Sequence, residues 1–89
     1  MINNRRGELE ILITILELAK NSVKKTEILY QANLSYFQLK NYLSFLETKN
    51  LIVEEKGRDE DGNVYRTFRT TKKGIDLLDK LNQVMTFLK

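Results

Sequence analysis

The spacing of apolar side chains changes twice along this chain, and those two changes restrict its fold more than any other feature. From Leu9 to Leu46 apolar residues recur every three or four positions, as one face of a helix requires. From Leu51 to Thr70 β-branched and aromatic residues gather in two short runs separated by turn formers. From Ile75 to Leu88 the helical spacing returns. A chain of 89 residues has room for one core, so these segments pack on one another in a mostly helical α+β domain.

The first helix is predicted over residues 8–21. Leu9, Leu12, Ile13, Leu16 and Ala19 form one stripe, and Ile11, Ile15 and Leu18 a second, so this helix needs cover on two sides. A short second helix over 25–32 buries Ile28 and Leu29, and Asn33-Leu34 is the turn after it. Ser35-Tyr36-Phe37-Gln38 fits a capping box that opens a third helix ending near Lys49. Leu39, Tyr42, Leu43 and Leu46 face inward; Phe37, Lys40, Asn41, Ser44 and Thr48 face outward, with Gln38 and Phe45 to one side. Asn50 ends that helix and Leu51-Ile52-Val53 opens a strand. Residues 57–63 are turn-rich around Asp61-Gly62, Val64–Thr70 is the return strand, and Thr71 caps a last helix running from Lys72 to the C-terminus.

Two short helices joined by a tight turn, followed at once by a hairpin, make a winged helix-turn-helix: three helices, a β-hairpin wing and a C-terminal helix. Residues 1–73 are expected to form the DNA-binding part and residues 74–89 the dimerisation helix of one structural unit. The absence of cysteine excludes disulfides and thiolate zinc sites, and the absence of histidine removes the commonest general base and metal ligand. No phosphate-binding loop, nucleophile elbow or dinucleotide fingerprint is present. An enzyme, a metal and a small-molecule cofactor are therefore not expected. The net charge of +3 suits an anionic partner. The most apolar stretch, Leu9 to Ala19, is too short for a bilayer and carries Glu10 and Glu17. A soluble, cytoplasmic, nucleoid-associated protein is expected.

The run Lys25-Thr26-Glu27-Ile28-Leu29-Tyr30-Gln31-Ala32-Asn33-Leu34-Ser35-Tyr36 resembles a segment of small archaeal winged-helix proteins, among them the ten-kilodalton DNA-binding proteins of Sulfolobus and relatives in archaea and their viruses. Leu43-x-x-Leu46 with Asn50-Leu51-Ile52 resembles their link from recognition helix to wing, and Thr71-Lys72-Lys73-Gly74 the opening of their last helix. The resemblance runs from about Leu9 to Leu81. It implies a winged helix, double-stranded DNA as partner, and a dimer built through the C-terminal helix. Two departures stand out. The last helix, at about 18 residues or about 27 Å, is shorter than their long antiparallel coiled coil. The wing tip, Arg58-Asp59-Glu60-Asp61, is acidic.

These patterns give a set of expected contacts. Phe37, Gln38, Lys40, Asn41 and Ser44 face bases: amides suit adenine, and lysine suits guanine or phosphate. Phe37 is either a thymine-methyl contact or a packing residue. Lys24, Lys25, Ser35, Tyr36, Lys56, Arg58 and Arg66 contact phosphate, with Arg5, Arg6, Lys20 and Arg69 as further cations near helix ends and the wing. Asp59, Glu60 and Asp61 form a solvated turn, or else discourage loose phosphate binding or meet a basic partner. Leu78, Leu81, Met85 and Leu88 lie at heptad spacing, widened by Ile75, Leu77 and Val84, and pair across a homodimer with Ile11, Ile15 and Leu18. The function expected is a homodimeric DNA-binding transcriptional regulator. Its rivals are a low-specificity architectural chromatin protein and a protein–protein interaction module.

Overall fold

A computed structural model describes residues 7–88. Its elements follow the order α1 (Glu8–Leu18), a 3-10 turn (Ala19–Asn21), α2 (Lys25–Gln31), α3 (Tyr36–Thr48), β1 (Ile52–Arg58), β2 (Val64–Thr70) and α4 (Lys72–Leu88). Among the described residues no helix is long and apolar enough to cross a membrane.

Both ends of the helix-turn-helix are shaped by asparagine. Asn33 and Asn50 take left-handed backbone conformations, with φ of 54° and 60°, a region that asparagine tolerates better than most residues. At α2, Asn33 N–H donates to the Tyr30 carbonyl and Leu34 N–H to the Leu29 carbonyl. At α3, Asn50 N–H donates to the Glu47 carbonyl and Leu51 N–H to the Leu46 carbonyl. This paired closure satisfies carbonyls that a helix end leaves free. In each case the next residue, Leu34 or Leu51, turns inward and is buried. The opening of α3 is the predicted capping box: Gln38 N–H donates to Ser35 Oγ at 3.1 Å, and Ser35 N–H to Gln38 Oε1 at 2.9 Å.

The first helix ends earlier than its apolar pattern suggests. After Leu18 the chain tightens, Ser22 adopts φ of 47°, and Val23 drops onto the free edge of β2. There Val23 N–H donates to the Phe68 carbonyl at 3.0 Å, and Phe68 N–H to the Val23 carbonyl at 2.7 Å. The sheet is thus the antiparallel β1–β2 hairpin, in register Ile52↔Thr70 to Arg58↔Val64, extended by this one bridge.

Every element contributes to the core. Ile11, Ile15, Leu16 and Ala19 of the first helical segment meet Ile28, Ala32, Leu34, Leu39, Leu43, Leu46, Leu51, Ile52, Phe68 and Leu78. Burying each leucine-sized side chain contributes roughly 1.5–3 kcal/mol, so Leu39, Leu43 and Leu46 alone hold α3 firmly to the body. The Thr70 hydroxyl, also buried, donates to the Leu16 carbonyl at 2.7 Å.

This packing corrects part of the expected dimer contact. Ile11, Ile15 and Leu78 are covered within one chain, Ile15 completely and Leu78 to 1% exposure. The reason is that α4 packs against α1 of its own chain, with Asn82 Nδ2 donating to Glu17 Oε1 at 3.3 Å. Leu18, Leu81 and Met85 remain half-buried, and Leu88 is exposed with Val84 and Phe87. On α1, Leu9 is exposed, and Leu12 and Ile13 are half-buried like Leu18.

The start of α4 is clasped to the end of α3. Thr71 Oγ1 donates to the Asn50 carbonyl at 2.7 Å and accepts from Gly74 N–H at 3.0 Å, while Thr71 N–H donates to the Leu51 carbonyl at 3.1 Å. A Cβ on Gly74 would overlap the Leu51 carbonyl oxygen. Gly74→Ala, a change that usually stabilises a helix interior, should here cost about 1–3 kcal/mol through overpacking. Urea unfolding of the two proteins checks this; equal or greater stability in the variant would contradict the clasp.

Candidate nucleic-acid interface

The outward face of α3 carries Phe37, Lys40, Asn41, Ser44 and Thr48, all exposed, as the helical spacing predicts. Its inward leucines fix the rotation of the helix, so this face stands clear of the body. Four of the five expected base-contact residues, Phe37, Lys40, Asn41 and Ser44, therefore share this face, and Gln38 is exposed to one side of it. The Gln38 carboxamide oxygen is engaged by Ser35 N–H, which holds that side chain toward the start of the helix. No described residue holds the exposed Asn41 or Lys40 side chain in a hydrogen bond or ion pair. Phe37 is 72% exposed, so it is not a core residue. It lines a shallow cleft with Glu8, Leu12, Gln38, Asn41, Tyr42 and Phe45 where α3 passes the start of α1.

The expected phosphate contacts separate into two groups. Lys25 Nζ lies 5.2 Å from the centre of the Tyr36 ring, which places two of them side by side at the start of α2 and α3. Lys24 Nζ lies 5.4 Å from the ring of Tyr65 on β2. Lys24, Tyr65 and Lys56 line one hollow between α2 and the wing. Such cation–ring contacts orient a lysine stem while leaving the ammonium hydrated. Ser35 Oγ accepts from Gln38 N–H in the capping box, which leaves its O–H free to donate at the exposed start of the helix.

The arginines of the wing are all engaged. Arg58 Nη1 donates to the Gly62 carbonyl at 3.1 Å. Arg66 lies 3.6 Å from Glu54, and Arg69 forms a two-pronged pair with Glu55 at 3.1 and 3.0 Å. Lys20 is 3.9 Å from Glu17. Arg5 and Arg6 lie outside the described residues.

The wing turn is narrower than its composition suggests. Gly57 lies within β1, opposite Tyr65, whose ring packs against it. The turn proper is organised by Asp59, whose Oδ1 accepts from Asp61 N–H at 3.0 Å and Asn63 N–H at 2.8 Å. Gly62 supplies the positive φ of 83°. Asp59, Glu60 and Asp61 are exposed. Among the described residues no cluster of acidic side chains could hold a metal ion.

Inspection of the sequence missed Tyr65 and the pairing of Glu54 and Glu55. Both follow from hairpin register, which places an aromatic opposite a glycine and each arginine diagonal to a glutamate; composition alone does not reveal that alignment.

A sequence model of the family described as winged helix-turn-helix matches residues 5–89. A PadR family transcription regulator from Clostridium difficile is similar in structure, with a TM-score of 0.75 and 26% identity over 92% of this chain and 91% of that one. Sso10a-2, a DNA-binding protein from Sulfolobus solfataricus, superposes with a TM-score of 0.74 at 22% identity, covering 92% of this chain and 81% of that one. An uncharacterised protein of Methanocaldococcus jannaschii is 33% identical over 85 residues, which are 94% of this chain and 36% of that protein. The chain thus spans little more than a third of this archaeal relative.

The hydrogen bond from Arg69, with its positive charge, lowers the pKa of Glu55 below the usual carboxylate value, and Glu55 raises that of Arg69 in turn. A carboxyl lowered by folding contributes stability that is complete above its unfolded pKa and lost as pH falls through the folded one. Carboxyl NMR titration should therefore find Glu55 ionised to lower pH than in a denatured reference. Arg69→Gln should return it upward; a midpoint unmoved by that change would refute the pairing.

Proposed function

Because the chain belongs to the winged helix-turn-helix family, we propose that it binds double-stranded DNA as a homodimeric transcriptional regulator, with α3 in the major groove and no catalytic step. The observation that carries this reading is the exposed polar face of α3, seated by three buried leucines, with Lys25 beside Tyr36 at its start and Lys24 and Lys56 in the hollow between α2 and the wing. Asn41 is the candidate for paired hydrogen bonds to adenine, and Lys40 for guanine or phosphate. Ser44 and Phe37 complete the base-facing surface, Phe37 toward a thymine methyl. The similarity to a PadR family transcription regulator supports a regulatory role, and that to Sso10a-2 supports DNA as the partner.

The dimer is proposed to form through α4. Its outer end presents Val84, Phe87 and Leu88, with Phe87 87% exposed, and Leu81 and Met85 are only half covered by their own chain. An apolar helix end of this kind is stabilised by a second copy. A two-fold dimer would set two α3 helices on half-sites about one helical turn apart. Residues 1–73 then act as the DNA-binding part and 74–89 as the dimerisation helix. At work on DNA, the protein would lie with the nucleoid in the cytoplasm.

The architectural reading needs a surface that coats phosphate. The wing speaks against it, since from Ile52 to Thr70 it carries five acidic and four basic side chains.

Selection from random duplexes should return an enriched, two-fold related sequence. The Lys40→Ala/Asn41→Ala variant should stay folded and dimeric yet lose about 1–3 kcal/mol of discrimination per lost base contact. Unchanged discrimination in a gel-shift titration would refute the assignment of this face. If Lys24, Lys25, Lys40 and Lys56 neutralise phosphates, log affinity should fall against log salt with a slope near −3.6 per protomer. For the dimer, Val84→Asp/Leu88→Asp should give a monomer by sedimentation with its melting transition preserved.

A further inference from the structure

Two of the positive charges of the wing are paired with glutamates in place. Four basic side chains lie between Ile52 and Thr70: Lys56, Arg58, Arg66 and Arg69. Arg66 is held by Glu54 and Arg69 by Glu55, both across the hairpin, and Arg58 is turned onto the Gly62 carbonyl. Among the described residues only Lys56 of the four has no such partner. By contrast, residues 24–49 carry four lysines and two glutamates, and neither Lys24, Lys25 nor Lys40 forms an ion pair with a described residue.

We propose that Glu54 and Glu55 are specificity-determining residues: they hold Arg66 and Arg69 in neutral pairs and so keep the wing from adding sequence-independent affinity for duplex DNA. This rests on the DNA-binding reading above and deepens it. Affinity for any duplex comes mainly from cations that neutralise phosphate and release counterions, whereas discrimination comes from base edges. A wing arginine that approaches phosphate with its glutamate still alongside brings no net charge and releases no counterion. Exchange of one partner for the other does not alter this, because the displaced carboxylate stays on the same hairpin. The pairs are solvent-exposed, with side-chain exposures between 34% and 63%. Exposed pairs contribute little to stability, so their removal tests binding rather than folding. The discriminating face of α3 is left with the lysines of α2, α3 and Lys56 as its phosphate contacts.

The test compares wild type, Glu54→Gln/Glu55→Gln, and the quadruple variant that adds Arg66→Gln/Arg69→Gln. Affinity for a random duplex is measured by fluorescence anisotropy between 50 and 200 mM salt, beside the sequence recovered by selection. Two freed arginines should steepen the salt slope by about 1.8 per protomer, an additional loss of about twelvefold per protomer engaged across that range. Affinity for the random duplex should rise more than affinity for the selected one. The quadruple variant should return to the wild-type slope. A double variant with the wild-type slope, or a quadruple variant that stays steep, overturns the inference while leaving DNA binding by α3 intact. A wild-type protein that binds no duplex at 50 mM salt overturns both.

Discussion

The clasp between the end of α3 and the start of α4 is the contact on which the rest of the domain depends. At this point Asn50 reverses the chain, Leu51 enters the core, and Thr71 binds the two carbonyls that the reversal presents. Gly74 lets the backbone of α4 approach closer than any side chain would permit. One junction thereby sets three directions: where α3 stops, where the wing begins, and where the last helix leaves the body. The hairpin starts and finishes here, because Ile52 and Thr70 are paired partners at its base. A change in this junction would re-aim the α3 face relative to the wing.

From that junction outward the molecule divides by charge. The helix-turn-helix keeps cations at its helix starts, steadied against Tyr36 and Tyr65. The wing binds its arginines to its own glutamates and to its own turn. The two halves of a surface that a duplex could span are thus electrostatically unlike, although their residue types look alike in a list of basic positions. The exposed residues of α3 are sorted as well. Gln38 maintains the opening of its own helix, while Asn41 and Lys40 project without such an obligation.

Much of this was legible in the sequence. The capping box at Ser35 and Gln38, the end of α3 at Asn50, the return strand and the Thr71 cap are local hydrogen-bonding patterns, and local patterns depend on residues a few positions apart. The outward face of α3 followed from its leucine spacing. The exit from the first helix did not, since the bridge between Val23 and Phe68 joins residues far apart in the chain. The two apolar stripes of α1 are legible in the sequence, but what covers Ile11 and Ile15 is not. The sequence shows that Ile11, Ile15 and Leu78 need cover, and cover by the same chain is equivalent in pattern to cover by a second copy.

The sequence by itself determined the order of elements, the caps that bound them and the polar face that α3 turns outward, because those features arise from hydrogen bonds and spacing within a few residues. Tertiary structure decided which apolar stripe α4 covers and which arginines are neutralised. Both depend on how separate segments are aligned, through the crossing of two helices and the register of a hairpin, and neither alignment is recorded in any single stretch of the chain.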